Sequence, residues 1–145
     1  NFYADNGMIP FLLVLEYLSV QKISLAEAVN HLRATYPVSG EINYAFETNC
    51  QMRDALDAVN AAIHCWGDPC VEAPIDGLSV RFLSGTGGWR FNLRESNTEP
   101  LLRLNVETIA DAALLIEKTT QISKKLENIG GSRETKFRWE TEKFA

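Results

Sequence analysis

Seven consecutive residues, Arg94-Glu95-Ser96-Asn97-Thr98-Glu99-Pro100, bring a guanidinium, two hydroxyls and a carboxamide together between two runs that read as strands. A tight turn there would add several backbone N–H groups, giving a donor-rich pocket suited to an oxyanion. A phosphate monoester carries close to two negative charges and three acceptor oxygens near neutral pH, so it needs many donors in a small volume. Arg94 can meet two oxygens with its planar fork, while Ser96, Asn97 and Thr98 are short donors that need little ordering. Glu95 and Glu99 would repel such a ligand unless they face outward or pair with cations such as Arg103. The same composition also reads as a polar turn that merely closes a hairpin.

The elements that must position this turn follow from alternation. Leu78, Val80 and Phe82 alternate with polar residues, Ser84 to Gly88 turns the chain, and Trp89, Phe91 and Leu93 alternate again, which predicts a hairpin with one buried face. By the same parity Arg90, Asn92 and Arg94 share the opposite face, so Arg94 stands at a strand end and off the core. Beyond Pro100, which suits a strand edge, Leu102, Leu104 and Val106 point one way and Arg103 and Asn105 the other. Thr48 with Gln51 forms a capping box ahead of the stripe Met52, Ala55, Leu56, Val59 and Ile63. His64 to Ala73 reads as a loop. Thr108 and Asp111 start a last long helix whose Ala112, Leu115, Ile116, Thr119, Ile122 and Leu126 form a stripe that Gly130 stops. Together these predict an α+β fold, a small antiparallel sheet with its helices on one face.

Ahead of that unit, Asp5 or Asn6 can cap a helix with Pro10 in its first turn; Phe11 to Leu15 and Leu18 make it apolar nearly all round, so it wants covering on more than one side. Ser24 with Glu27 is a second capping box, followed by Leu25, Ala28, Val29 and Leu32 before Tyr36-Pro37 ends the helix, and the two helices are expected to pack together. Ile42, Tyr44 and Phe46 alternate as a short strand. The run from Ser132 to Ala145 is charged but carries Phe137, Trp139 and Phe144, an aromatic tail that docks somewhere or lies exposed.

With 145 residues, 46% hydrophobic and 23% charged, the chain has the composition of a soluble globular protein with one core or two small ones. A net charge of −5 argues against non-specific nucleic-acid binding, which needs a clustered positive surface. Cys50, Cys65 and Cys70 form no CxxC pair and leave an odd thiol, which fits neither a disulfide framework nor a zinc site and suits reduced cytoplasm. His31 and His64 stand apart, without metal-ligand spacing. The apolar run Met8 to Leu15 is too short to span a bilayer and Glu16 follows it, so no membrane is expected.

The stretch from Trp89 to Glu107, WRFNLRESNTEPLLRLNVE, resembles the phosphate-binding loop in the C-terminal domain of the α-D-phosphohexomutases, the phosphomannomutase/phosphoglucomutase family. Asn97 before Thr98-Glu99-Pro100 resembles the phosphomannomutase/phosphoglucomutase branch, since phosphoglucosamine mutases usually have Gly there. Tyr3-Ala4-Asp5-Asn6-Gly7-Met8-Ile9-Pro10 and Ser39-Gly40-Glu41-Ile42-Asn43 are similar to the end of that family's third domain. The resemblance implies residues 1–48 as the C-terminal part of the third domain, a helical piece of an α/β domain; residues 49–130 as the fourth, phosphate-binding domain; and residues 131–145 as a tail. It implies a mutase that interconverts hexose 1-phosphate and hexose 6-phosphate through a phosphoserine and a bisphosphosugar, with Mg²⁺ assisting, the substrate being a mannose or glucose phosphate. By residue, the family's phosphate contacts fall on Arg94, Ser96, Asn97 and Thr98. The Ser-His-Asn-Pro nucleophile loop, the Asp-Gly-Asp-x-Asp-Arg metal loop and the Gly-Glu-x-Ser-Gly-His sugar loop do not occur in this sequence. The expectation is a fragment that is inactive alone, with the Mg²⁺ site and the other domains in its parent. A stand-alone module that binds a phosphorylated ligand or a protein without chemistry is the alternative.

Overall fold

The computed structural model describes residues 7–72, 77–84 and 87–134. The expected caps Asp5 and Asn6, the end of the loop at Ala73, part of the turn between Ser84 and Gly88 and the aromatic tail lie outside the described residues. The chain divides into two compact units, residues 1–35 and 36–145.

The first unit holds α1, Met8–Gln21, and α2, Leu25–Thr35. Ser24 and Glu27 form the expected box: the Ser24 N–H donates to Glu27 Oε2 at 2.7 Å and the Glu27 N–H returns to Ser24 Oγ at 3.2 Å. The Ser24 N–H and, at 2.8 Å, the Ser24 hydroxyl both donate to the Glu27 carboxylate and hold it below its ordinary pKa. The two helices, expected to pack together, lie in one compact unit with the axis turning by 94° between them. The turn is local: Lys22 takes a left-handed conformation at φ 54, and Ile23 N–H closes on the Leu18 carbonyl. Phe11, Leu12 and Leu13 on α1 are exposed. No single helix among the described residues is long and apolar enough to cross a membrane.

The second unit is an antiparallel sheet with two helices over one face. Its elements are β1 (Ile42–Ala45), α3 (Asn49–Ala62), a 3-10 turn (Ile63–Trp66), β2 (Cys70–Val71), β3 (Leu78–Ser84), β4 (Gly87–Glu95), β5 (Leu101–Thr108), α4 (Ala112–Asn128) and β6 (Ser132–Glu134). The strand order is β2-β3-β4-β5-β1-β6, and every pairing is antiparallel. Alternation selects one face: Tyr44 from β1, Val80 and Phe82 from β3, Phe91 and Leu93 from β4, and Leu102, Leu104 and Val106 from β5 are buried. They meet Met52, Ala55 and Val59 of α3 and Ile122 and Leu126 of α4 in one core. Trp66 closes its edge against Trp89 and Phe91, with ring centroids 6.2 and 6.0 Å away. Thr48 caps α3 by accepting from the Gln51 N–H at 3.2 Å, but the Gln51 carboxamide oxygen has no partner, so only half of that box forms.

The sequence groups Ile42–Ala45 with the preceding helices, up to residue 48. In the structure β1 is instead an inner strand, pairing Ile42 with Leu104 and Ala45 with Leu101, and the division falls between Thr35 and Tyr36. The tail expected from residue 131 likewise begins with a strand, since β6 pairs Ser132 with Ala45. Both differences are long-range pairings with no local signature.

One buried hydrogen bond ties β1 to α4. The Tyr44 hydroxyl donates to Ser123 Oγ at 2.6 Å, and Ser123 donates in turn to the Thr119 carbonyl at 2.7 Å. Burial raises the Tyr44 pKa above its ordinary 10.0, against the smaller lowering by the Ser123 bond. A raised pKa in the folded state means that stability is complete below the unfolded value and falls as pH rises through the folded one. Denaturant titrations should therefore show an alkaline loss of stability above about pH 10 that Tyr44→Phe lacks. At neutral pH the same substitution should cost about 1 kcal/mol.

Candidate functional site

The sheet face away from the helices is polar, and its charges lie in register. Arg90 on β4 stands opposite Glu107 on β5, with Nη2 2.8 Å from the carboxylate. Asn92 stands opposite Asn105, and Arg94 opposite Arg103. Arg103 is in turn the partner of Asn43 on β1. Two guanidiniums directly across an antiparallel ladder are a like-charge pair, which is unfavourable without a counter-ion.

Among the described residues, the carboxylate that faces both guanidiniums is that of Glu41. Val38 bridges Glu107, the Ser39 N–H donates to the Val106 carbonyl, and Ile42 pairs with Leu104, so Gly40 and Glu41 together stand opposite Asn105. This is a β-bulge with Gly40 in the left-handed region at φ 67, a conformation glycine adopts without a Cβ penalty. Ser39 fastens the bulge: its Oγ accepts from the Val106 N–H at 2.9 Å and donates to the Gly40 carbonyl at 2.7 Å. The Glu41 carboxylate is thereby held 3.5 Å from Arg94 Nη2 and 4.0 Å from Arg103 Nη1.

The β4–β5 connection follows Arg94 directly. Its neck closes where the Ser96 N–H bonds the Leu101 carbonyl at 2.8 Å, and the Phe46 N–H ties the Pro100 carbonyl to the end of β1 at 2.9 Å. Inside the loop Ser96 Oγ lies 3.5 Å from both Thr98 Oγ1 and the Thr98 N–H. Asn97 is exposed between them, as are Thr98, Glu99 and Pro100, and Ser96 and Arg94 are half-exposed. The structure thus brings the two hydroxyls together in the loop and sets Arg94 with Arg103 and Glu41 on the adjoining strand end. Glu99 faces solvent, as expected. Glu95 stands opposite buried Leu102 and so lies on the helix side of the sheet, away from Arg94. Arg103 lies 4.0 Å from Glu41, so of the two alternatives for Glu95 and Glu99, facing away from the site or pairing with Arg103, the structure shows the first.

A backbone constraint fixes the strand end from behind. Gly77 has φ +81, and a Cβ there would lie 2.4 Å from the Leu93 carbonyl oxygen and 2.7 Å from Arg94 Cα, so only glycine fits against this part of β4. Cys50, Cys65 and Cys70 are free thiols. Among the described residues no three His, Cys, Asp or Glu side chains gather as metal ligands. These residues do not fit a Mg²⁺ site.

Residues 42–121 match the family model described as phosphoglucomutase/phosphomannomutase, C-terminal domain. The chain belongs to the phosphoglucomutase/phosphomannomutase family. Relatives of this family include a protein named for phosphohexose mutases from Xanthomonas campestris pv. campestris (strain B100), 49% identical over 125 residues, covering 86% of this chain and 26% of the relative. A phosphomannomutase from Vibrio cholerae serotype O1 is 41% identical over 128 residues, covering 88% of this chain and 26% of the relative. One from Escherichia coli is 43% identical over 122 residues, covering 83% and 24%. The chain thus spans about a quarter of the length of these relatives. The family match starts at Ile42, within the unit that holds β1, and covers β4, the loop and β5, including Arg94 and Arg103.

Sequence reasoning missed Glu41. Its parity was available, since buried Ile42 and Tyr44 imply that Glu41 faces the other way, but its reach to Arg94 depends on β1 lying beside β5.

Proposed function

We propose that this chain supplies the phosphate-holding part of a phosphohexomutase that interconverts hexose 1-phosphates and hexose 6-phosphates of mannose or glucose through a phosphoserine and a bisphosphosugar. Arg94, Ser96, Asn97 and Thr98 grip the phosphate that is not being transferred, so their contribution is to fix the sugar while the other phosphate reacts. The observation that carries this reading is the exposed, donor-rich loop placed directly after Arg94 inside a domain of this family. A dianion there gains charge-assisted bonds from the guanidinium and hydrogen bonds from short side chains and loop N–H groups. The phosphoserine and the Mg²⁺ that assists it belong to domains outside this chain, in a cytoplasmic enzyme, a setting that three free thiols suit.

The chain alone is then expected to be inactive and to bind hexose phosphates weakly, with Kd near or above about 1 mM, because one loop supplies only part of the contacts. Calorimetry with mannose 1-phosphate and glucose 1-phosphate checks this. Micromolar binding by the chain alone would favour a dedicated binding module over a mutase domain.

A further inference from the structure

The counter-ion between the two arginines has a functional consequence. Arg94 and Arg103 are cross-strand partners, and the Glu41 carboxylate faces both, at 3.5 and 4.0 Å. These contacts are long for charge-assisted bonds, and the three side chains are 36%, 34% and 41% exposed. Loose, solvated ion pairs of this kind contribute little to stability, so holding the fold together does not account for the arrangement. Arg103 Nε, moreover, is buried with no hydrogen-bond partner, a donor that Glu41 leaves unused. A buried donor without an acceptor is costly, and an oxyanion on this face would supply the acceptor.

We propose that Glu41 is a resident substitute for the ligand: its carboxylate fills the seat between Arg94 and Arg103, and a substrate phosphate must displace it. This rests on the phosphate-holding role proposed above for Arg94 and adds Glu41 and Arg103 to that site. The bulge at Gly40 and Glu41 makes the exchange possible. It sets the carboxylate on an exposed side chain that can swing into solvent, while Ser39 keeps the backbone in place. Glu41 keeps the two guanidiniums from repelling each other when the site is empty, and its negative charge opposes the dianion that enters. The seat therefore binds phosphate more weakly than its arginines alone would, which favours release of the sugar phosphate and its reorientation.

The test is an NMR titration of the full-length protein carrying these residues with inorganic phosphate, following the Nε–H signals of Arg94 and Arg103. Glu41→Gln should tighten phosphate binding about fivefold at low salt, the effect of removing roughly 1 kcal/mol of repulsion near 4 Å in water. The gain should shrink as added salt screens the charges, and the melting temperature should fall only slightly, as expected for the loss of a loose, solvated ion pair. Glu41→Ala should show the same tightening, which guards against a fold-specific effect of glutamine. Arg94→Ala is the control and should weaken binding. If Arg94→Ala weakens binding while both Glu41 variants leave it unchanged or weaken it, Glu41 is no competitor and the inference is overturned with the site intact. If Arg94→Ala has no effect, the phosphate-holding role of Arg94 falls, and the inference with it.

Discussion

Phe91→Ala is expected to cost about 3–5 kcal/mol of folding stability, more than any loss expected at the polar site. The ring is 1% exposed, sits mid-strand on β4 and faces both Trp66 and Trp89, with centroids 6.0 and 5.8 Å away. Truncation removes its apolar surface and leaves a cavity beneath two tryptophans that cannot collapse into it, because Trp89 is stacked on Phe82 at 4.2 Å. Against a typical total of about 5–15 kcal/mol, such a loss brings the domain close to unfolding at physiological temperature. Equilibrium urea unfolding followed by tryptophan fluorescence measures it directly. The matched control is Leu83→Ala on the adjoining strand, where the side chain is 67% exposed and the change should stay within about 0.5 kcal/mol. A loss below about 1 kcal/mol for Phe91→Ala would mean that its ring does not belong to the core between the sheet and the two helices.

How much of this could be read in advance depended on how local each determinant was. The helical stripe of Met52, Ala55 and Val59, the alternation through Val80, Phe82, Phe91 and Leu93, and the cap at Asp111, which accepts from the Leu114 N–H at 2.8 Å, are short-range patterns, and the elements they imply are present. The placement of Ile42–Ala45 was not legible, because four alternating residues carry no mark of which strand they will join. That strand's neighbours, Leu101–Leu104 and Ser132–Glu134, lie far along the chain, and only the closed core decides the order. The same limit explains the site. Arg94 and the loop hydroxyls are contiguous and could be named from one stretch, whereas Glu41 reaches Arg94 across β5 through a bulge that only the register reveals. The perpendicular turn between α1 and α2 was hidden for another reason: its pivot, Lys22, takes a left-handed conformation usually signalled by glycine or asparagine.

Arg94→Ala in the full-length enzyme is expected to lower kcat/KM for mannose 1-phosphate and glucose 1-phosphate by about 1–3 kcal/mol, roughly 5- to 150-fold, the range for a lost charge-assisted hydrogen bond. The effect belongs to binding and orientation, because the guanidinium is 36% exposed on the polar sheet face and its loss opens no cavity. The unfolding midpoint should therefore stay close to that of the unsubstituted protein, separating this variant from Phe91→Ala. If the grip on the inert phosphate only held the sugar, KM alone would rise. If it also aligns the reacting end, kcat falls as well, since remote binding energy is then used to orient the sugar in the transition state. The proposed role predicts the second outcome, because each transfer in the proposed reaction would need the sugar held by its inert phosphate. Arg94→Lys tests the geometry: it keeps the charge but loses the two-pronged donor, so it should recover part of KM and less of kcat. Unchanged kinetics in Arg94→Ala for both sugars would remove this residue from the site and leave the loop hydroxyls without their principal charge.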